Sequence, residues 1–260
     1  MQLTLYQVDA FTQKIFGGNP AAVCPLDDWL PDELMQAIAA ENNLAETAFF
    51  VPQADQFGLR WFTPTVEVDL CGHATLATAH ILYTELQYDL PNIGFNTRSG
   101  LLSVSEHASG YVMNFPADSI TPIQTPPEIA EGLQLTSAET YRGKTDYLVV
   151  IDSQDQLEAL QPDFRVLSKG DVRGTIVTAP GKNVDFVSRC FFPQSGIDED
   201  PVTGSAHTTL TPYWAQRLGK KRLSAQQLSA RKGELICTHM GDRVELIGSA
   251  VTYLKGDIWI

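Results

Sequence analysis

The run "GHATLATAHILY" at residues 72–83 constrains the fold more than any other stretch. Ala, Leu, Ile and Thr recur on every side of the helix it would form. A helix apolar all round has to be buried, so other elements must wrap it. The rest of the chain supplies strands, short segments rich in Val, Ile, Phe, Tyr and Thr and broken by Gly, Pro, Asn and Asp. They fall at 2–8, 47–51, 58–63, 93–97, 100–105, 110–115, 146–151, 174–178, 184–192, 234–238, 243–248 and 250–254. Helices are fewer. "LPDELMQAIAA" puts Pro31 at a first helical position with acidic residues in the first turn. A second helix is expected from Gly72 to about Leu86, and a third follows "GSAH" at 204–207.

The chain has 260 residues, one large domain or two of about 130. With 43% apolar and 19% charged residues a sizeable core is available. A net charge of −13 repels phosphate backbones and anionic lipid, which argues against nucleic acid and membrane surfaces as partners. "MQLTLYQVDAF" lacks the basic and apolar regions of a signal peptide, and no apolar run approaches the roughly 20 residues of a membrane span. Cys24, Cys71, Cys190 and Cys237 are far apart and show no CxxC pairing, so a reduced, cytoplasmic chain is expected.

The two halves resemble each other. "RWFTP" at 60–64 is followed eight residues after Pro64 by "GHA", and "RCFFP" at 189–193 is followed eleven residues after Pro193 by "GSA". Each reads as a strand, a proline turn, a loop holding carboxylates and a helix start of small residues, the mark of a duplication. The proline-dense "TPIQTPPEIAEGL" at 121–133 reads as the inter-domain linker, with the boundary near 116–128.

The first N–H groups of a helix have no intrahelical partner. Gly72 and Gly204 leave two such ends uncovered, so a small anion can approach the backbone directly. His73 adds a donor or acceptor at one end and Ser205 a hydroxyl at the other, with Asp198, Glu199 and Asp200 in the preceding loop. Facing each other across an inter-domain cleft, the two ends would let an acidic protein hold a carboxylate without a basic patch. Glu46 lies where the first helix gives way to the apolar "TAFFV" strand, a setting in which a carboxylate can serve as a base near neutral pH. Glu41, closer to the helix, reads as solvated. Cys71 reads as a buried small hydrophobe, and His80 and His207 as ordinary helix residues. Cys71, His73 and His80 do not make a metal site, because no second cluster completes one.

These residues together resemble the PhzF-like isomerase family, the phenazine-biosynthesis relatives of diaminopimelate epimerase. The matching strings are "FGGNPAAV" (16–23), "NNLAETAFF" (42–50), "RWFTPTVEVDLCGHATLATA" (60–79), "TRSGLLSV" (97–104) and "GIDEDPVTGSAH" (196–207). The resemblance implies an α+β, cofactor-free fold of two pseudo-symmetric domains, 1–118 and 119–260. Each would be a curved, mostly antiparallel sheet around a central helix, and the final strand could pack back on the first domain. It implies Glu46 as the acid/base, assisted by His73 and Asp200, with Gly72, Gly204, Ser205 and Asn19 contributing to substrate binding, in a homodimer. The expected activity is an isomerase that moves a proton on a small carboxylate-bearing substrate. Two alternatives stay open: an amino-acid racemase or epimerase using Glu46 or Asp200 with Cys71, and a non-catalytic binder of small organic acids. The two-thiol epimerases carry a second cysteine where this chain has only "DEDPVTGSA". Pro212, inside the third helix, is expected to remove a hydrogen bond and kink it.

Overall fold

The computed structural model describes residues 1–260 and forms two compact units, Met1–Asn114 with Ile247–Ile260, and Phe115–Leu246. The first half of the chain runs β1 (Gln2–Ala10), β2 (Asn19–Pro25), α1 (Asp32–Asn42), β3 (Glu46–Gln53), β4 (Gln56–Phe62), β5 (Glu67–Val68), α2 (Gly72–Thr84), β6 (Asn92–Thr97), β7 (Gly100–His107) and β8 (Gly110–Pro116). The second runs β9 (Thr121–Ile123), α3 (Pro127–Gly132), β10 (Glu139–Arg142), β11 (Asp146–Val150), α4 (Gln154–Ala159), α5 (Phe164–Leu167), β12 (Gly174–Pro180), β13 (Phe186–Phe192), β14 (Ile197–Asp200), α6 (Gly204–Leu218), β15 (Arg222–Gln227), β16 (Gly233–His239), β17 (Arg243–Gly248) and β18 (Ala250–Trp259). The architecture is α+β, and no helix is long and apolar enough to cross a membrane.

α2 is buried from His73 through Leu82, as a helix without a polar face must be. It packs on β1, β2, β3 and β18. β2 was not foreseen as a strand. "NPAAVCP" has two prolines and no alternation, because Ala21, Ala22, Val23 and Cys24 are all buried between layers. α1 begins at Asp32 with Pro31 as its N-cap, so it starts one residue later than expected, and its Met35, Ile38 and Ala39 pack with Phe49 and Phe62.

The strand pairings repeat. β2 runs parallel to β3, β3 pairs antiparallel with β4, β4 with β5, and β4 runs parallel to β6. β11 runs parallel to β12, β12 pairs antiparallel with β13, β13 with β14, and β13 runs parallel to β15. The central helices, α2 and α6, occupy the same place in each series. The closing strands complete it: β18 pairs antiparallel with β1 in the first unit and β9 with β10 in the second. The second unit therefore ends at Leu246 and not at the end of the chain.

One expectation is corrected, and one is accounted for. Residues 121–133 are not a linker: Thr121–Ile123 form β9, and Pro126 caps α3 with Pro127 at its first turn. Pro212 removes a helix hydrogen bond, as expected, and α6 runs on past it to Leu218. The Thr208 carbonyl, which would have accepted the missing N–H, accepts from the Asp118 N–H at 3.1 Å, and Thr209 Oγ1 donates to the Asp118 carboxylate at 2.9 Å. An external partner satisfies the group that Pro212 orphans.

Candidate active site

Glu46 opens β3, and the string that follows it is β-forming and apolar, so its side chain stands at the rim of a packed wall. Cys71, extended, is the N-cap of α2, and Gly72 and His73 are the first two helical residues. The Cys71 carbonyl accepts from Thr75 Oγ1 at 2.6 Å, which fixes the helix start. Asn19 opens β2. These elements bring four side chains together. His73 Nε2 lies 3.1 Å from Glu46 Oε2, Asn19 Nδ2 lies 3.2 Å from His73 Nδ1, and Cys71 Sγ lies 3.5 Å from the same nitrogen. Asn19 and His73 are buried and Glu46 is nearly so.

The Glu46–His73 contact is short but out of line for a hydrogen bond, a common state for acid–base pairs without substrate. With the Asn19 amide donating to Nδ1, a neutral His73 carries its proton on Nε2, facing Glu46. A half-turn of that amide would let its oxygen accept from an imidazolium. Burial opposes charge on His73, yet Cys71 and Glu46 beside it outweigh burial and hold the imidazole well above its ordinary value. Burial pushes Cys71 up to about 11, so it is a neutral thiol at pH 7 and Glu46 is the partner that matters for His73 there. Ligand atoms of Glu46, Cys71 and His73 lie within 4.8 Å of one another, a spacing a metal ion could bridge. Asn19 already engages the imidazole nitrogen on the Cys71 side, which favours a proton-transfer chain over a ligand set.

The second unit holds a related corner. Asp200 ends β14, is buried, and accepts from Thr203 Oγ1 at 2.5 Å. Gln227 donates to the Asp200 carbonyl at 2.7 Å and accepts from the Thr203 N–H at 2.9 Å. Gly204 and Ser205 are the first two residues of α6, and Ser205 Oγ accepts from Arg173 Nη2 at 3.1 Å. Thr203 occupies the place of Cys71: Glu67 lies five positions before Gly72 and Glu199 five positions before Gly204, and each glutamate is gripped by its own unit's β-strand arginine. Sequence reasoning missed Arg173, Asp146, Thr203 and Gln227. Only sheet pairing brings Arg173 to Asp146, and no local string announces it.

Two copies of a mostly antiparallel sheet around a central helix give the chain the epimerase-like fold. A predicted epimerase from Pseudomonas aeruginosa superimposes with a TM-score of 0.76 at 19% identity, covering 99% of each chain, which is a likeness of fold alone. The family model for phenazine biosynthesis-like proteins matches residues 8–256. An uncharacterized isomerase of Pseudomonas aeruginosa is 55% identical over 99% of both chains. A phenazine biosynthesis protein of the PhzF family from Enterococcus faecalis superimposes with a TM-score of 0.97 at 44% identity over the whole of both chains. The chain belongs to the phenazine biosynthesis-like family, and it is an isomerase.

Proposed function

We propose that this isomerase moves a proton on a small carboxylate-bearing substrate, without a cofactor, and that Glu46 is its general acid/base. The observation that carries the reading is His73 Nε2 at 3.1 Å from Glu46 Oε2, at the open end of a buried helix. Glu46 takes a proton from a carbon α to, or conjugated with, the carboxyl group of an unsaturated acid and returns it elsewhere on the same substrate. His73, 3.1 Å away, orients the Glu46 carboxyl group for both transfers, and Asn19 holds the ring. Asp200, through its contact with Thr203, and the backbone at Gly72, Gly204 and Ser205 are assigned to holding substrate. We take the working form to be a homodimer, as the family resemblance implies, and cytoplasmic, on the grounds of the unpaired cysteines; mass from light scattering decides the first point.

A two-base racemase using Cys71 is less well supported. Its thiol is held protonated by burial, and Thr203 stands where a second thiol would be required. The test is deuterium wash-in. In D2O, proton NMR of a panel of small unsaturated carboxylic acids should show exchange with the wild-type protein. Binding without exchange, for acids that do bind, would make the protein a binder instead.

A further inference from the structure

Arg173 has no part in the proton transfer proposed above, yet it takes a place defined by the duplication. Phe49 faces Arg60 across β3 and β4, and Val177 faces Arg189 across β12 and β13. Counting three residues back along each strand reaches Glu46 in the first half and Gly174 in the second. Gly174 cannot carry a base: a Cβ there would collide with the Phe192 ring and the Phe191 carbonyl. The ring that fills this space is also the shelf for the preceding residue, with the Arg173 guanidinium 4.9 Å from its centroid. The second half has a fixed cation beside the position at which the first half has a base.

The donors of Arg173 are partly spent. Nε and Nη2 donate to the Asp146 carboxylate at 2.9 and 2.5 Å, and Nη2 also donates to Ser205 Oγ at 3.1 Å. The two N–H groups of Nη1 engage no protein acceptor, and the side chain is 40% exposed. Ser205 Oγ accepts from Arg173 and donates to no protein group, so its hydrogen is available to a ligand. Ser205 is the second residue of α6, where backbone N–H groups also point outward.

We infer that Arg173 is a specificity-determining residue of this enzyme, and that with the Ser205 hydroxyl it recognises a carboxylate. One carboxylate oxygen takes the Nη1 edge and the other the Ser205 hydrogen. The inference rests on the reading of the substrate as a carboxylic acid. Asp146 is 4% exposed and offsets the guanidinium charge, so recognition comes from directed donors and should weaken only modestly with salt.

Benzoate and its uncharged counterpart benzamide test this, titrated into the full-length protein by calorimetry. Wild type should bind benzoate at least about tenfold more tightly than benzamide, a difference of about 1.4 kcal/mol. Arg173→Gln should erase that preference, and Arg173→Lys, which keeps the charge but loses the planar edge, should erase most of it. Arg173→Lys carries the test if loss of the Asp146 partner unfolds Arg173→Gln, with circular dichroism as the check. Wild type without the preference, or folded Arg173 variants that retain it, would overturn the inference. Glu46→Gln separates the two claims. Turnover kept in Glu46→Gln with benzoate lost in Arg173→Gln sinks the base and keeps the subsite, and the converse pattern does the reverse.

Discussion

Arg189 grips Glu199 with both edges of its fork, Nε to Oε1 and Nη2 to Oε2, each at 2.8 Å. Arg60 grips Glu67 in the same way at 2.7 Å, and each guanidinium lies over a phenylalanine two residues on, Phe62 at 5.2 Å and Phe191 at 5.1 Å. The two bridges tie the β4–β5 and β13–β14 hairpins that lead into α2 and α6. The loops differ by three residues because a short 3₁₀ turn, Pro193–Ser195, precedes β14.

The bridges should not be equally costly to lose. Arg98 Nη2 also reaches Glu67, at 2.6 Å, so Arg60→Met leaves that carboxylate a partner. Arg189 has no such substitute, and its Nη1 also serves the Leu157 and Leu160 carbonyls. Arg189→Met should cost about 2–3 kcal/mol, between exposed and fully buried pairs, and Arg60→Met less. Urea unfolding of each variant checks the order.

Stability should fall as pH drops from about 6.5 toward 4. Burial lowers His80 and His207 to about 4. The unfolded chain therefore binds protons first, and each neutral histidine contributes stability that is full above the ordinary value of 6.5 and lost as pH falls toward 4. Each loss amounts to about 3 kcal/mol at pH 4. His73 has the opposite sign: raised in the fold, it contributes fully below its unfolded value of 6.5 and loses that contribution only as pH rises through the folded one. It does not add to the acid loss. His207→Gln should flatten the dependence of Tm on pH between 4.5 and 6.5 by about one proton, and an unchanged slope would contradict the assignment.

How much of this was legible in sequence follows from the range of the interactions. Gly72 and Gly204 were visible as helix starts because a helix signal is local, and the arginine strings exposed the duplication. Glu46 was visible because the junction of α1 with an apolar strand lies within ten residues. Arg173 was not, because β11 and β12 run parallel and bring Asp146 beside Gly174 only across α4 and α5. The prolines of 121–133 suggested a linker, but a proline starts a helix as readily as it breaks one, and whether a neighbour accepts the orphaned group at Pro212 is a tertiary fact.

Cys71→Ser should leave activity within about tenfold of wild type. Its thiol is buried and pushed up to about 11, and the thiolate, not the thiol, is the nucleophile and base. Turnover with the serine variant checks this, and a loss as large as that from replacing Glu46 would favour the racemase reading.

Glu46→Gln keeps size and hydrogen-bonding reach but cannot accept a proton. Deuterium wash-in from D2O into a small unsaturated carboxylic acid, followed by proton NMR with wild type, Glu46→Gln and Asp200→Asn side by side, tests the base directly. The expected result is exchange by wild type, a fall of 10²–10⁴-fold in Glu46→Gln, about 3–5 kcal/mol of barrier, with binding retained, and a milder effect in Asp200→Asn. Wild-type exchange in Glu46→Gln together with its loss in Asp200→Asn would contradict the account and move the base to Asp200.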